Sequence, residues 1–150
     1  MRRALVFALA LAASSLQAQQ HPLVGSWQVS FLAGMSIENG VETPIIGTGT
    51  LTIEAQGDSL IGTLVRDLIP EIGERPPARL AGVADGEVVT LISATTANLT
   101  VNGATRTAPV VSTWKLTAKG DALEGTVART IEGFDEVARP TAVTGTRNKS

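Results

Sequence analysis

Gly57-Asp58-Ser59-Leu60-Ile61-Gly62-Thr63-Leu64-Val65-Arg66 and Gly120-Asp121-Ala122-Leu123-Glu124-Gly125-Thr126-Val127-Ala128-Arg129 are two versions of one stretch, 63 residues apart. The same offset relates Asn39-Gly40 to Asn102-Gly103, Thr50 to Thr113, Pro77 to Pro140 and Gly82 to Gly145. The shared positions are turn residues and alternating strand residues, so the repeat copies a backbone rather than a chemical motif.

Working outward from that stretch, the period is two everywhere after the N-terminal segment. Trp27, Val29, Phe31, Ala33, Met35 and Ile37 form one apolar face, with Gln28, Ser30, Ser36 and Glu38 opposite. Asn39-Gly40 supplies the positive-φ pair that a two-residue hairpin needs. A return strand is predicted from Val41 to Ala55, a third from Ser59 to Leu68, and a short fourth near Arg79 to Val83. The second copy places strands near Glu87 to Val101, Ala104 to Ala118, Ala122 to Ile131 and Thr141 to Arg147. Each half is thus a four-strand meander, with matching long loops at Ile69 to Ala78 and Glu132 to Pro140. One such sheet alone would expose an apolar face and two edges, and closing both copies into one barrel removes them. The expected fold is all-β: an eight-stranded antiparallel up-and-down barrel built from two four-strand repeats.

Residues 1–18 have the composition of a signal peptide: Arg2 and Arg3, an apolar run from Ala4 to Ala13, then small residues up to a cleavage point near Ala18. The run is too short to span a bilayer, which needs about 20 residues. With no Cys in the chain, lipoprotein anchoring at that point is excluded. The expectation is a periplasmic or secreted protein, with residues 19–150 forming a single barrel domain. Of 12 basic and 14 acidic side chains, removal of Arg2 and Arg3 leaves 10 basic and a formal charge near −4. Scattered basic residues with almost no aromatics make nucleic acid a poor partner. A membrane-spanning barrel would need apolar outer bands and aromatic girdles. Here the outward sets contain Thr52, Glu54, Thr117 and Lys119, and Tyr is absent.

Gly25-Ser26-Trp27 at the start of the first strand and Arg147 at the end of the last resemble the signature of the calycin group, the lipocalin-like and avidin-like small barrels. In that group a Gly-x-Trp opens the barrel and a basic residue of the final strand packs across the indole at the closed end. Strand directions here bring Trp27 and Arg147 to the same end. The chain lacks the lipocalin disulfide, terminal helix and further sequence blocks, and it lacks the biotin-holding set of avidins. The resemblance implies a barrel with a cavity for a small molecule.

The inventory offers little for catalysis. His21 is the one His, placed before the first strand where an untethered chain end is expected, and no Cys is present. Asp58 and Asp121 sit beside Gly in turns, where such side chains satisfy local backbone donors. Glu71, Glu74, Asp135 and Glu136 lie in the two long loops and suit either a solvated acidic rim or Ca²⁺. No transition-metal site, catalytic residue or cofactor is expected.

The arginines are more informative. Arg66 shares parity with Leu60, Gly62 and Leu64, Arg129 with Leu123, Gly125 and Val127, and Arg106 with Trp114 and Leu116. Inward-facing Arg66, Arg106 and Arg129 at the open end would grip a carboxylate or phosphate, with an apolar tail against Phe31, Met35, Leu64 and Trp114. The commoner fate of such arginines is to reach solvent or pair with Asp67 and the rim acids. Gly62 and Gly125, equivalent in the two copies, are read as relieving the coiling of a small barrel. Trp27 is read as structural. Three functions fit: a non-enzymatic carrier or sensor of a small amphipathic or anionic ligand; a protein-binding module such as a periplasmic protease inhibitor, with Gln19 to Leu23 as an inserting arm; or a filled structural barrel.

Overall fold

A computed structural model describes residues 21–70, 72–101, 104–133 and 139–149, with side chains for all of these except 35, 37 and 97–101. The first 20 residues, carrying the signal-peptide reading, lie outside the described residues. The strands are β1 (Gly25–Glu38), β2 (Val41–Gln56), β3 (Ser59–Arg66), β4 (Ala78–Asp85), β5 (Val88–Val101), β6 (Ala104–Lys119), β7 (Ala122–Ile131) and β8 (Thr141–Arg147). Each pairs antiparallel with the next and β8 returns to β1, closing an eight-stranded up-and-down barrel with no helix among the described residues. All four strands of the second half begin 63 residues after their counterparts in the first, so the sequence repeat is a structural one. Asn39 and Gly40 adopt φ of 51° and 76°, both positive, as the tight β1–β2 turn requires. Asn102-Gly103 lies outside the described residues.

The symmetry is broken in one place. The β1–β2 register shifts between Leu32 and Gly34, whereas β5 and β6 pair without interruption from Val89↔Leu116 to Val101↔Ala104. Ala33 is therefore an extra residue, a bulge that reverses parity along the strand. Ahead of it, inward-facing Trp27, Val29 and Phe31 correspond to Val89, Leu91 and Ser93, one residue off the repeat. The unbroken alternation expected from Trp27 to Ile37 is corrected accordingly. The Met35 and Ile37 side chains lie outside those described.

One end of the barrel is packed solid. Trp27, Leu51, Ile53, Leu60, Val89, Leu91, Leu116 and Leu123 are buried there, together with Leu23 from the segment before β1. The Trp27 indole donates from Nε1 to the Leu23 carbonyl at 2.9 Å, and the Arg147 guanidinium lies 4.2 Å from its ring centroid. Arg147 donates further to the carbonyls of Val24 at 3.1 Å and Pro22 at 2.6 Å, and pairs with Asp121 at 3.5 Å. His21 Nε2 lies 3.0 Å from the Gly86 carbonyl oxygen, and its own carbonyl accepts from Val24 N–H at 2.9 Å. The segment leading into β1 is thus pinned across the closed end, not loose as its position suggested. Gly25 makes this possible: its φ is 139°, and a Cβ there would lie 2.7 Å from the Arg147 guanidinium.

The paired strand glycines have different reasons. A Cβ on Gly125 would collide with the Lys115 carbonyl oxygen, whereas on Gly62 it would meet only the side chains of Leu91, Leu51 and Leu80, the nearest at 3.3 Å. Close backbone approach therefore accounts for Gly125 but not for Gly62, which is a side-chain packing position.

Arg147→Ala removes the cation over Trp27 and both hydrogen bonds to the N-terminal segment, and should cost about 2 kcal/mol in urea unfolding. Gly25→Ala is expected to cost at least about 1 kcal/mol from φ alone. A loss below about 0.5 kcal/mol in both, the range of ordinary surface changes, would remove the closed-end latch as a source of stability.

Candidate ligand cavity

The other half of the barrel is not filled. A cavity of about 180 Å³ opens between β1, β3, β4, β5, β6 and β7, under the loop that joins β3 to β4. Its apolar wall includes Phe31, Leu64, Leu80, Val110 and Trp114, with the Phe31 and Trp114 rings meeting edge to face at a centroid distance of 5.5 Å. Phe31 finds its room over Gly47, where a Cβ would stand 3.1 Å from the ring.

The polar wall is built by register. Ser93 pairs with Ser112, and Ser112 with Arg129, so two buried hydroxyl side chains and a guanidinium lie in one row across β5, β6 and β7. On the opposite half the equivalent pairing sets Gly49 against Arg66. Arg75, from the β3–β4 loop, is the third arginine of the lining. In that loop Gly73 has a φ of 87° and donates to the Ile69 carbonyl at 2.7 Å, a tight turn beside Ile72, which also lines the cavity.

The three guanidinium groups are differently engaged. Arg129 donates through Nη1 to the Leu32 carbonyl at 2.7 Å, crossing from β7 to the bulge of β1 in the gap beyond the start of β8. Arg66, its counterpart in the repeat, donates to the Pro76 carbonyl at 3.1 Å and leaves a buried Nε without a partner. Among the described residues no carboxylate pairs with Arg66, Arg75 or Arg129. Asp67, the expected partner, instead accepts from Thr48 Oγ1 at 2.7 Å and from Gln28 Nε2 at 3.5 Å. Burial, and then the like charge of Arg75, lower the pKa of Arg66. Burial, followed by the charges of Arg66 and Arg75, does the same to Arg129.

Of the residues singled out in the sequence, Phe31, Leu64, Arg66, Trp114 and Arg129 come together in this cavity. Arg106 does not. It keeps the expected parity, but the β5–β6 hairpin carries it beyond Ala108 and Val110 to the exposed surface, where its guanidinium lies 2.9 Å from a Cβ built on Gly133. Arg75, Ser93 and Ser112 were missed. Arg75 sits in a loop with no period, whereas Ser112 shares parity with Trp114, and Ser93 with Leu91, a signal open to use. Of the acidic rim, Glu71, Asp135 and Glu136 lie outside the described residues, Glu74 is exposed, and no three His, Cys, Asp or Glu gather among the described residues.

The chain matches no family model, no curated protein and no solved structure. Its class is defined by architecture alone, a closed eight-stranded antiparallel barrel. The site has to be read from its own chemistry.

A half-buried cation with an unpartnered Nε beside two like charges is a cost to the empty protein. Arg66→Met should therefore raise the stability of the ligand-free barrel by about 1 kcal/mol in urea unfolding. A loss of similar size would mean that Arg66 is there to hold the fold.

Proposed function

We propose that the barrel is an exported, non-enzymatic binding protein, a carrier or sensor that holds a small amphipathic anion in its open half. The observation that carries this reading is the convergence of Arg66, Arg75 and Arg129 on an aromatic-walled cavity with no carboxylate paired to them among the described residues. Fixed guanidinium groups beside apolar walls favour a ligand with an anionic head and an apolar body. Export rests on the composition of residues 1–18. An aqueous setting is supported by the apolar interior and by charged outward residues such as Glu54, Lys115 and Glu124, the reverse of a membrane barrel with its polar lumen. Among the described residues no helix is long and apolar enough to cross a membrane. The Trp27–Arg147 stack is the arrangement expected from calycin resemblance, and that kinship is part of the proposal.

The other readings have less behind them. An inhibitory arm at Gln19 to Leu23 would need its last residues free, yet Leu23 is buried in the core and Pro22 is held by Arg147. A filled structural barrel describes only the closed half.

Native mass spectrometry of the mature protein, purified gently from an exported preparation, should show an adduct of small mass that is lost in Arg66→Gln. Sulfate and phosphate should raise the melting temperature of the wild-type chain more than chloride does at equal ionic strength. A clean mass together with no anion-specific shift would sink the ligand-binding reading.

A further inference from the structure

Resting on that reading, we propose that the cavity selects a doubly charged tetrahedral headgroup, a phosphate monoester or phosphonate, on an apolar body no larger than about one ring, and that Arg75 makes the choice.

Size sets the body. A cavity of about 150 Å³ lined by apolar side chains takes a benzene ring, whereas drug-sized ligands need roughly 300 Å³ or more. The space here is about 180 Å³, closed below by the packed half of the barrel, with the Phe31–Trp114 pair in its wall. Long acyl chains and large ring systems do not fit, so the apolar tail expected from sequence shrinks to a ring or a short branched group.

Charge sets the head. Arg66, Arg75 and Arg129 place three positive charges on one cavity, close enough for each of the two strand arginines to be perturbed by Arg75. A monoanion would cancel one of these charges and leave two facing each other where water is partly excluded. A dianion leaves one. Donor geometry agrees: Arg129 has given Nη1 to Leu32 and Arg66 has given Nη2 to Pro76, and Arg129 Nη2 and Arg66 Nη1 keep no partner among the described residues. Arg75 makes no hydrogen bond or ion pair with any described residue. A carboxylate is satisfied by one guanidinium fork, whereas the three terminal oxygens of a phosphate monoester can accept from several donors at once.

Arg75 is the discriminating group because of where it sits. Arg66 and Arg129 are partly buried strand residues, each tied to a carbonyl, whereas Arg75 is exposed on the loop over the mouth. Its removal disturbs no packing and deletes the third charge.

Isothermal titration at pH 8 with phenyl phosphate, benzenesulfonate and benzoate separates the possibilities. Phenyl phosphate is a dianion at this pH, its second pKa being about 6. Benzenesulfonate has the same ring and tetrahedral head with one charge fewer. The expected result is that phenyl phosphate binds at least about tenfold tighter than benzenesulfonate, and that Arg75→Gln erases most of this ratio without lowering the melting temperature. Arg66→Gln should weaken both ligands about thirtyfold or more. Equal affinities within twofold, or a ratio that survives Arg75→Gln, would overturn the dianion assignment while leaving anion binding in place. No heat and no thermal shift with any of the three would bring down both the assignment and the reading it rests on.

Discussion

The seam between β8 and β1 is the constraint on which the rest of the barrel depends. A meander has two edges until its last strand finds its first, and here the ladder that closes it runs only from Trp27↔Arg147 to Ser30↔Thr144. Four residue pairs are few for a join that must hold a whole sheet in a ring. Side chains reinforce it at both ends. At the closed end Arg147 stacks on Trp27 and ties down the segment before β1. At the other, where β8 has not yet begun, Arg129 reaches from β7 to the Leu32 carbonyl and bridges β7 to β1 without a strand between.

That second reinforcement marks where the two copies of one repeat residue part ways. Arg66 and Arg129 are the same position in the two copies, facing the interior at the point where the neighbouring short strand starts. In the second half the bulge at Ala33 offers a carbonyl, and Arg129 closes the wall with it. In the first half Arg66 turns to the loop before β4, with its Nε unpartnered beside Arg75. The same repeat position therefore closes the wall in one half and lines the cavity in the other. The mutual repulsion of three guanidinium groups on one cavity is a standing destabilisation of that half of the barrel.

Barrel-filling is divided in the same way. The closed half is packed by Trp27, Leu23 and the surrounding aliphatics, while the other half has Ser93 where β1 has Phe31, and Gly47 and Gly49 where β6 has Val110 and Ser112. Each side thus sets small residues beside one ring, Gly47 and Gly49 beside Phe31, and Ser93 and Ser112 beside Trp114, and the cavity lies between them.

Strand number, order and turn positions were legible in the residues because alternation and Asn-Gly or Gly-Asp turns are local signals, read twice at a fixed offset. The closed-end pair was legible too, since counting strand reversals brings Trp27 and Arg147 to one end. Parity identified Arg66, Arg129, Phe31, Leu64 and Trp114 as a group because side-chain direction in an unbulged strand is fixed by period alone. What the sequence could not decide were matters of three-dimensional crowding. The Ala33 bulge appears only against the β2 register, and it hides the repeat in β1. How far the β5–β6 hairpin overshoots the wall decides that Arg106 leaves the cavity, and the fold of an aperiodic loop decides that Arg75 enters it. Period two determined which residues face inward; tertiary structure decided which of them meet, because only packing sets where each strand ends relative to its neighbours.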